Sequence, residues 1–191
     1  MSTPESSPDR SVDLDEDDWE ELKEIIVEFL SKYDALYEKR VQKLIFYCEI
    51  KTAIKTGQRL TDATFMPYDY GPYSRTVTTA LEELNEEGRI SIRDNGQYAT
   101  ALDGSSLSPK KKYLIERFHE ETKRMSTDEL VDRAKETWLW KHFEYAEEMD
   151  FATYIDDVIM SPEVRHCLED PDRDPDRDQL GKHQDAAKTR L

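Results

Sequence analysis

Apolar positions recur at helical spacing through the N-terminal third of the chain. The first stripe consists of Leu22, Ile25, Ile26, Phe29 and Leu30. This pattern predicts a helix over about residues 16–33 with one buried face. The acidic residues at 15–18 lie where a helix N-terminus favours negative charge. A second helix, over about 36–56, has apolar residues on more than one face, so we expect it to be central to its domain.

Residues 61–70 favour an extended strand, because Thr, Phe and Tyr side chains are frequent there. Pro67 restricts such a strand to the edge of a sheet. Gly71-Pro72 then ends the strand and begins a third helix, since glycine tolerates the turn and proline at the first helical position loses no hydrogen bond. This third helix is predicted to reach about Glu87.

A hairpin is predicted directly after the third helix. Residues 89–93 and 97–101 form its two strands, and Asn95-Gly96 between them is a strong two-residue turn signal. Small winged-helix modules have the same order of helix, turn, helix and hairpin. This order indicates a function in recognition rather than in catalysis.

The C-terminal half is predicted to contain further helices. One covers about 109–125, another runs from the capping box at Ser126–Glu129 to about Phe143, and shorter ones lie near 150–160 and after Ser161-Pro162. The predicted fold class is mainly α, strictly α+β: a helical domain with a small winged-helix-like β-hairpin or a three-stranded sheet. Polar and charged composition predicts disordered tails at 1–14 and 169–191, which leaves a single domain at 15–168.

The chain is strongly acidic, with 43 Asp and Glu against 27 Lys and Arg, a net charge of -16 and a pI near 4.7. Three explanations of this acidity compete. The first is adaptation to molar salt, where the repulsion between like charges is screened beyond about 3 Å. The second is that acidic tails contribute to the count, and the third is that the protein recognises a basic partner or mimics a nucleic acid. Three Trp, ten Tyr and six Phe indicate a packed core rather than wholesale disorder.

Catalytic and metal-binding patterns are weak in this sequence. Cys48 and Cys167 match no metal-ligand spacing, although Cys167 adjoins His166. The four His residues form no HExxH motif, and neither a glycine-rich phosphate loop nor a Gly-x-Ser-x-Gly motif occurs. We therefore expect no enzymatic activity and no cofactor. No stretch resembles a signal peptide or a membrane span, which predicts a cytoplasmic protein that does not enter membranes.

Four features in order resemble the Panacea domain, the SocA-like antitoxin domain. They are the apolar run Lys43–Tyr47, the sequence Gly57–Leu60, the aromatic segment Phe65–Tyr70, and Gly71-Pro72 leading into a helix. The resemblance implies a small, mainly helical regulatory protein without catalytic activity. Members of that family act as antitoxins that neutralise toxins by direct contact, as proteolysis adaptors, or as phage-associated proteins.

The first functional hypothesis is a regulator that binds a partner protein. Tyrosines bury large areas at interfaces for a small entropy cost, and three of them cluster around Gly71. The second predicted helix and its surroundings are also locally basic, with six basic and two acidic residues between Leu36 and Arg59. The predicted partner-binding residues are Arg40, Lys43, Tyr47, Tyr68, Tyr70, Gly71, Pro72 and Tyr73.

The second hypothesis is a winged-helix regulator that binds DNA. Its candidate nucleic-acid contacts are Arg75 near the start of the third helix, and Arg89 and Arg93 in the hairpin. Glutamates on that same helix oppose this hypothesis, because they repel the phosphate backbone. A third hypothesis, a structural or assembly protein, predicts concentration-dependent oligomers and no external partner; the sequence leaves the oligomeric state open.

Overall fold

The computed structural model describes residues 14–161. Within that range the elements are α1 Glu16–Ser31, α2 Glu38–Thr56, α3 Arg75–Glu86, β1 Ser91–Ile92, β2 Tyr98–Ala99, α4 Pro109–Thr122, α5 Thr127–Lys135, α6 Trp138–His142, α7 Phe151–Thr153 and a π-helical turn Tyr154–Ile159. The predicted mainly α fold with a small hairpin is confirmed. The predictions for residues 1–13 and 162–191, which include Cys167 and the tails, lie outside the described residues.

The helix α2 is the centre of the fold, as its apolar pattern predicts. It packs against α1, α4, α5 and the π-helical turn. An aromatic cluster joins it to two other segments: the Phe46 ring lies 5.3 Å from Phe65 and 6.1 Å from Phe151. These three rings are buried, so the loop before α3 and the C-terminal helices share one core with α2.

The hairpin pairs Ser91 with Ala99 and Ile92 with Tyr98. Its turn is closed by a hydrogen bond from the Gly96 N–H to the Arg93 carbonyl at 2.8 Å. Tyr98 also exchanges backbone hydrogen bonds of 2.9 and 2.8 Å with Leu36, just before α2. The hairpin is therefore a two-stranded sheet extended by a single bridge to Leu36, rather than by a full third strand.

The predicted edge strand at 61–70 is wrong. Met66 pairs with Tyr73 in an isolated bridge, and the carbonyls of Phe65 and Pro67 accept hydrogen bonds from the N–H groups of Met149 (2.8 Å) and Ala146 (2.9 Å). These single hydrogen bonds to the irregular segment around Ala146 and Met149 pair the backbone carbonyls of residues 65 and 67 without the regular hydrogen-bond ladder of a β-sheet. Pro67 has no N–H to donate, which also interrupts pairing.

Three predicted helix boundaries are also wrong, and a polar cap explains each. α3 begins at Arg75 rather than at Pro72, because the Ser74 side chain accepts a hydrogen bond from the Val77 N–H. α4 ends at Thr122 rather than near 125, because the chain must become extended at Ser126 to form the predicted capping box. The helix predicted from the capping box to about Phe143 is divided at Thr137, whose hydroxyl caps α6.

Candidate partner-binding surface

The start of α3 is fixed by a buried glutamine of α2. The Gln42 amide donates to the Ser74 carbonyl and accepts from the Ser74 N–H, both at 2.9 Å. A side-chain amide that pairs with both backbone groups of one residue satisfies them as a strand would. The segment that precedes α3 is therefore held in one position against the central helix.

A buried lysine of α2 holds the Gly71-Pro72 turn. Lys43 is only 3% exposed, and its ammonium group donates a hydrogen bond to the Pro72 carbonyl. Burial lowers the pKa of Lys43 to about 8, and the positive charges of Lys39 and Lys135 act in the same direction. Gly71 has a φ of +92°, and an added Cβ there would lie 3.1 Å from the Lys43 Cε.

Residues 66–73 form a tight loop above this lysine. The backbone groups of Met66 and Tyr73 exchange hydrogen bonds of 2.8 and 2.9 Å, and the Gly71 N–H donates to the Tyr68 carbonyl at 2.9 Å. Gly71 and Pro72 are buried, whereas Tyr68 and Tyr70 at the tip are exposed. The loop thus places aromatic side chains at the protein surface on an anchored base.

Three exposed tyrosines and one half-buried tyrosine form what we call the aromatic surface: Tyr68, Tyr70 and Tyr145 are exposed, and Tyr73 is half-buried. The Tyr68 ring lies 5.5 Å from that of Tyr73 and stacks on that of Tyr145 at 4.9 Å. Tyr70 is 69% exposed, and the Lys39 ammonium lies 5.0 Å from its ring centroid. Isolated exposed apolar side chains are ordinary, but a stacked group of large rings is typical of an interaction site.

Sequence reasoning missed Tyr145, which comes from a distant part of the chain. The backbone hydrogen bonds of Ala146 and Met149 place this segment beside the 66–73 loop. Ala146 adopts a φ of +61°, a left-handed conformation that non-glycine residues rarely occupy. Alanine carries no sequence signal for that conformation, so the position of Tyr145 could not be read from local pattern.

The hydroxyl group of Tyr145 is held in its protonated form by its neighbours. A hydrogen bond with Tyr68 is the largest of several influences that raise the pKa of Tyr145 to about 12, and the Asp69 carboxylate also raises it. The Tyr145 phenol therefore acts as a neutral hydrogen-bonding group at neutral pH, beside the carboxylate of Asp69.

Two predicted binding residues of α2 make contacts on other faces. The Tyr47 ring packs against Phe118 of α4 at 5.6 Å. Arg40 lies 5.6 Å above the Tyr33 ring and donates to the Thr127 hydroxyl at 3.5 Å. Of the predicted partner-binding set, the structure brings Lys43 and the residues from Tyr68 to Tyr73 together.

Three lysines of α2 lie near carboxylates of other helices. Lys39 lies 3.6 Å from Asp128, while Lys51 and Lys55 lie 3.5 and 3.9 Å from Glu121. The C-terminal helices thus supply carboxylates for three of the lysines noted in the sequence, with Lys51 and Lys55 sharing Glu121. Part of the local positive charge is therefore balanced within the chain.

The residues predicted for DNA contact are largely engaged inside the molecule. Arg89 forms an ion pair with Glu24 and lies 3.8 Å from Glu20, both on α1. Arg93 makes a bidentate pair with Asp34, with nitrogen–oxygen distances of 2.7 and 2.9 Å. Arg75 is exposed, but one arginine supplies few phosphate contacts. The DNA-binding alternative is not favoured.

In the described part of the chain, residues 14–161, no group of three or more His, Cys, Asp and Glu side chains could hold a metal ion. None of its helices is long and apolar enough to cross a membrane. Cys48 is buried in α2, and burial raises the pKa of its thiol far above the ordinary value, so it is a packing residue.

A central helix, a small hairpin and an anchored aromatic loop define a small α+β domain with an exposed group of tyrosines. Comparison with family models identifies it further. The chain belongs to the family described as antitoxin SocA-like, Panacea domain, whose model matches residues 41–141. This match confirms the resemblance predicted from the sequence and extends over α2 to α6. No curated protein and no solved structure matches the chain.

Family membership supports a regulatory, antitoxin-like role. It points to a partner protein and to a non-catalytic mode of action. The matched region contains the 66–73 loop, Gly71-Pro72 and α3, while Tyr145 lies just beyond its C-terminal end.

Proposed function

We propose that this protein is a regulator that binds a partner protein, a toxin or a target of regulated proteolysis, and blocks it by occupying its surface. The binding site is the aromatic surface. The observation that carries this proposal is the stacked, exposed pair Tyr68 and Tyr145, held by backbone hydrogen bonds between two distant segments.

The anchoring of this surface supports a binding role. Lys43 and Gln42 fix the loop base from the central helix, so the exposed rings are presented without a large loss of conformational freedom on binding. A site that is ordered before association loses less entropy when the partner binds. Tyr70, at 69% exposure, contributes little to the stability of the free protein and is available to a partner.

The test is capture of the partner by tagged full-length protein in about 1 M KCl, where diffuse electrostatic attraction is screened. Wild type, Tyr70→Ala and Tyr145→Ala are compared by quantitative mass spectrometry, with and without nuclease. We expect one protein in stoichiometric amount with the wild type, insensitive to nuclease, and its loss from both variants.

A matched control comes from α4. Tyr113 is 63% exposed and lies outside the aromatic surface, so Tyr113→Ala removes an equally exposed ring without touching the site. Circular dichroism and thermal melting establish that all variants fold. Retention of the partner by Tyr70→Ala and Tyr145→Ala, or equal loss from Tyr113→Ala, would show that the binding site lies elsewhere.

A further inference from the structure

The aromatic surface is bordered by acidic side chains. Residues 68–73 and 144–148 contain no lysine or arginine. They contain four exposed carboxylates: Asp69, Glu144, Glu147 and Glu148. Within the range 14–161, none of these four forms an ion pair with a basic side chain of the protein. Their negative charge is therefore presented to solvent beside the tyrosine rings.

The carboxylates of α1 are arranged differently. Glu24 pairs with Arg89, and Glu28 pairs with Lys32 at 3.0 Å. Glu21 pairs with Lys111 at 2.6 Å. In that helix, negative charge contributes to the packing of the fold. At the aromatic surface, it has no such internal partner.

One ring of the surface already contacts a cation. The Lys39 ammonium lies 5.0 Å from the centroid of Tyr70, within the distance at which a ring face attracts positive charge. The same Lys39 ammonium also lies 3.6 Å from a carboxylate oxygen of Asp128. Exposed phenol rings beside unpaired carboxylates suit a guanidinium group, which stacks on aromatic faces and pairs with carboxylates through two hydrogen bonds.

We infer that the aromatic surface accepts a basic, arginine-bearing segment of the partner protein. This inference rests on the proposed function and names the chemistry of the partner at that same site. Arginine side chains stack on Tyr68, Tyr70 and Tyr145, and the bordering carboxylates receive their N–H groups. The acidity of this part of the chain thus has a binding role, independent of the cause of acidity elsewhere.

The experiment uses a fluorescent peptide of alternating glycine and arginine, and the same peptide with lysine in place of arginine. Binding to full-length protein is measured by anisotropy at about 0.15 M KCl, where exposed charges interact over about 8 Å. The site variant carries Asp69→Asn, Glu144→Gln, Glu147→Gln and Glu148→Gln. The control variant carries the same number of neutralised exposed carboxylates on α3 and around the hairpin: Glu82→Gln, Glu86→Gln, Asp94→Asn and Asp103→Asn.

Both variants have the same net charge, so a difference between them in peptide binding must come from where the neutralised carboxylates lie. We expect the site variant to bind the arginine peptide about tenfold more weakly, the control variant to bind nearly as the wild type does, and the lysine peptide to bind more weakly than the arginine peptide. Equal loss from both variants, or no binding of the arginine peptide, would overturn the inference.

Failure of this inference differs from failure of the proposed function. The capture is therefore repeated at about 0.15 M KCl, where exposed charges still interact. If Tyr70→Ala and Tyr145→Ala lose the captured partner there while the site variant retains it, the aromatic surface binds a partner that is not recognised through arginine. If both tyrosine variants retain the partner, the proposed function itself is wrong.

Discussion

The buried ammonium group of Lys43 donates a hydrogen bond to the carbonyl of Pro72. This contact joins the central helix to the base of the loop that displays Tyr68 and Tyr70. Lys43 is only 3% exposed, and a buried charge is stabilised only when a hydrogen-bond partner, here the Pro72 carbonyl, is held in place beside it. The pair therefore couples the core of the fold to the shape of the aromatic surface.

Stability is expected to depend on pH through Lys43. Its pKa is about 8 in the folded protein against 10.5 in a solvated lysine, so between these values the unfolded state binds more protons. The free energy of unfolding should then rise with pH across this window, by up to about 3 kcal/mol. Urea titrations at several pH values between about 7 and 11 measure this slope.

The matched variant for this pH experiment is Lys43→Met, which keeps a long side chain and removes the titrating group. We expect the part of the rise that belongs to Lys43 to be missing in this variant, while tyrosine titrations contribute equally to both proteins. Identical pH profiles for wild type and Lys43→Met would contradict a depressed lysine pKa.

The Gly71→Ala substitution should destabilise the loop for two reasons. A φ of +92° disfavours any side chain, and the new Cβ would lie 3.1 Å from Lys43 Cε and 3.5 Å from Val131 Cγ1. We expect a loss of about 1–3 kcal/mol in the free energy of unfolding, measured by chemical denaturation.

Gly88→Ala is the control for this substitution, because Gly88 has a φ of +70° and nothing within 4 Å of an added Cβ. Gly88→Ala therefore introduces the strained backbone conformation without a close contact, and it should lower the free energy of unfolding by about 1 kcal/mol. A smaller loss for Gly71→Ala than for Gly88→Ala would mean that the loop relaxes freely away from Lys43.

Glu49 should be the most sensitive carboxylate of α2. It is fully buried, and it accepts hydrogen bonds from the N–H groups of Leu60 at 2.8 Å and Thr61 at 2.9 Å. Glu49→Ala leaves these donors, and the guanidinium of Arg59 at 3.7 Å, without their acceptor. We expect a loss of about 3–5 kcal/mol in the free energy of unfolding, measured by denaturant titration.

Two comparisons make the Glu49 prediction specific. Glu49→Gln keeps one acceptor oxygen and should cost less than Glu49→Ala. Glu82→Ala on α3 removes an exposed carboxylate and should change stability by less than about 0.5 kcal/mol. Similar losses for Glu49→Ala and Glu82→Ala would exclude a structural role for the buried group.

The acidity of the whole chain leads to a prediction about salt. If it is an adaptation to molar salt, the melting temperature should rise steeply up to about 1 M KCl, because screening then acts over about 3 Å and relieves repulsion among the many carboxylates. Differential scanning calorimetry over a KCl series measures this effect. A flat or falling profile would contradict adaptation to molar salt.

Periodicity predicted the central α2 and the hairpin at Asn95-Gly96, because these features depend on local hydrophobic spacing and turn chemistry. It failed at residues 61–70, where side chains favour a strand but the backbone bonds to a segment some 80 residues later in the chain. It also failed at Thr137, where a threonine within an apolar helical pattern acts as a cap. Local propensity does not reveal which distant segment competes for a backbone group.

The sequence by itself determined the order of the helices, the hairpin and the Panacea-type segment from Lys43 to Pro72, since short-range spacing encodes them. Only the tertiary structure decided which charges and rings are available at the surface. Arg89 and Arg93 are neutralised by carboxylates of the α1 region, and Tyr145 is brought onto Tyr68 by bonds to the 66–73 loop. Both outcomes arise from contacts between residues far apart in sequence, which no local pattern specifies.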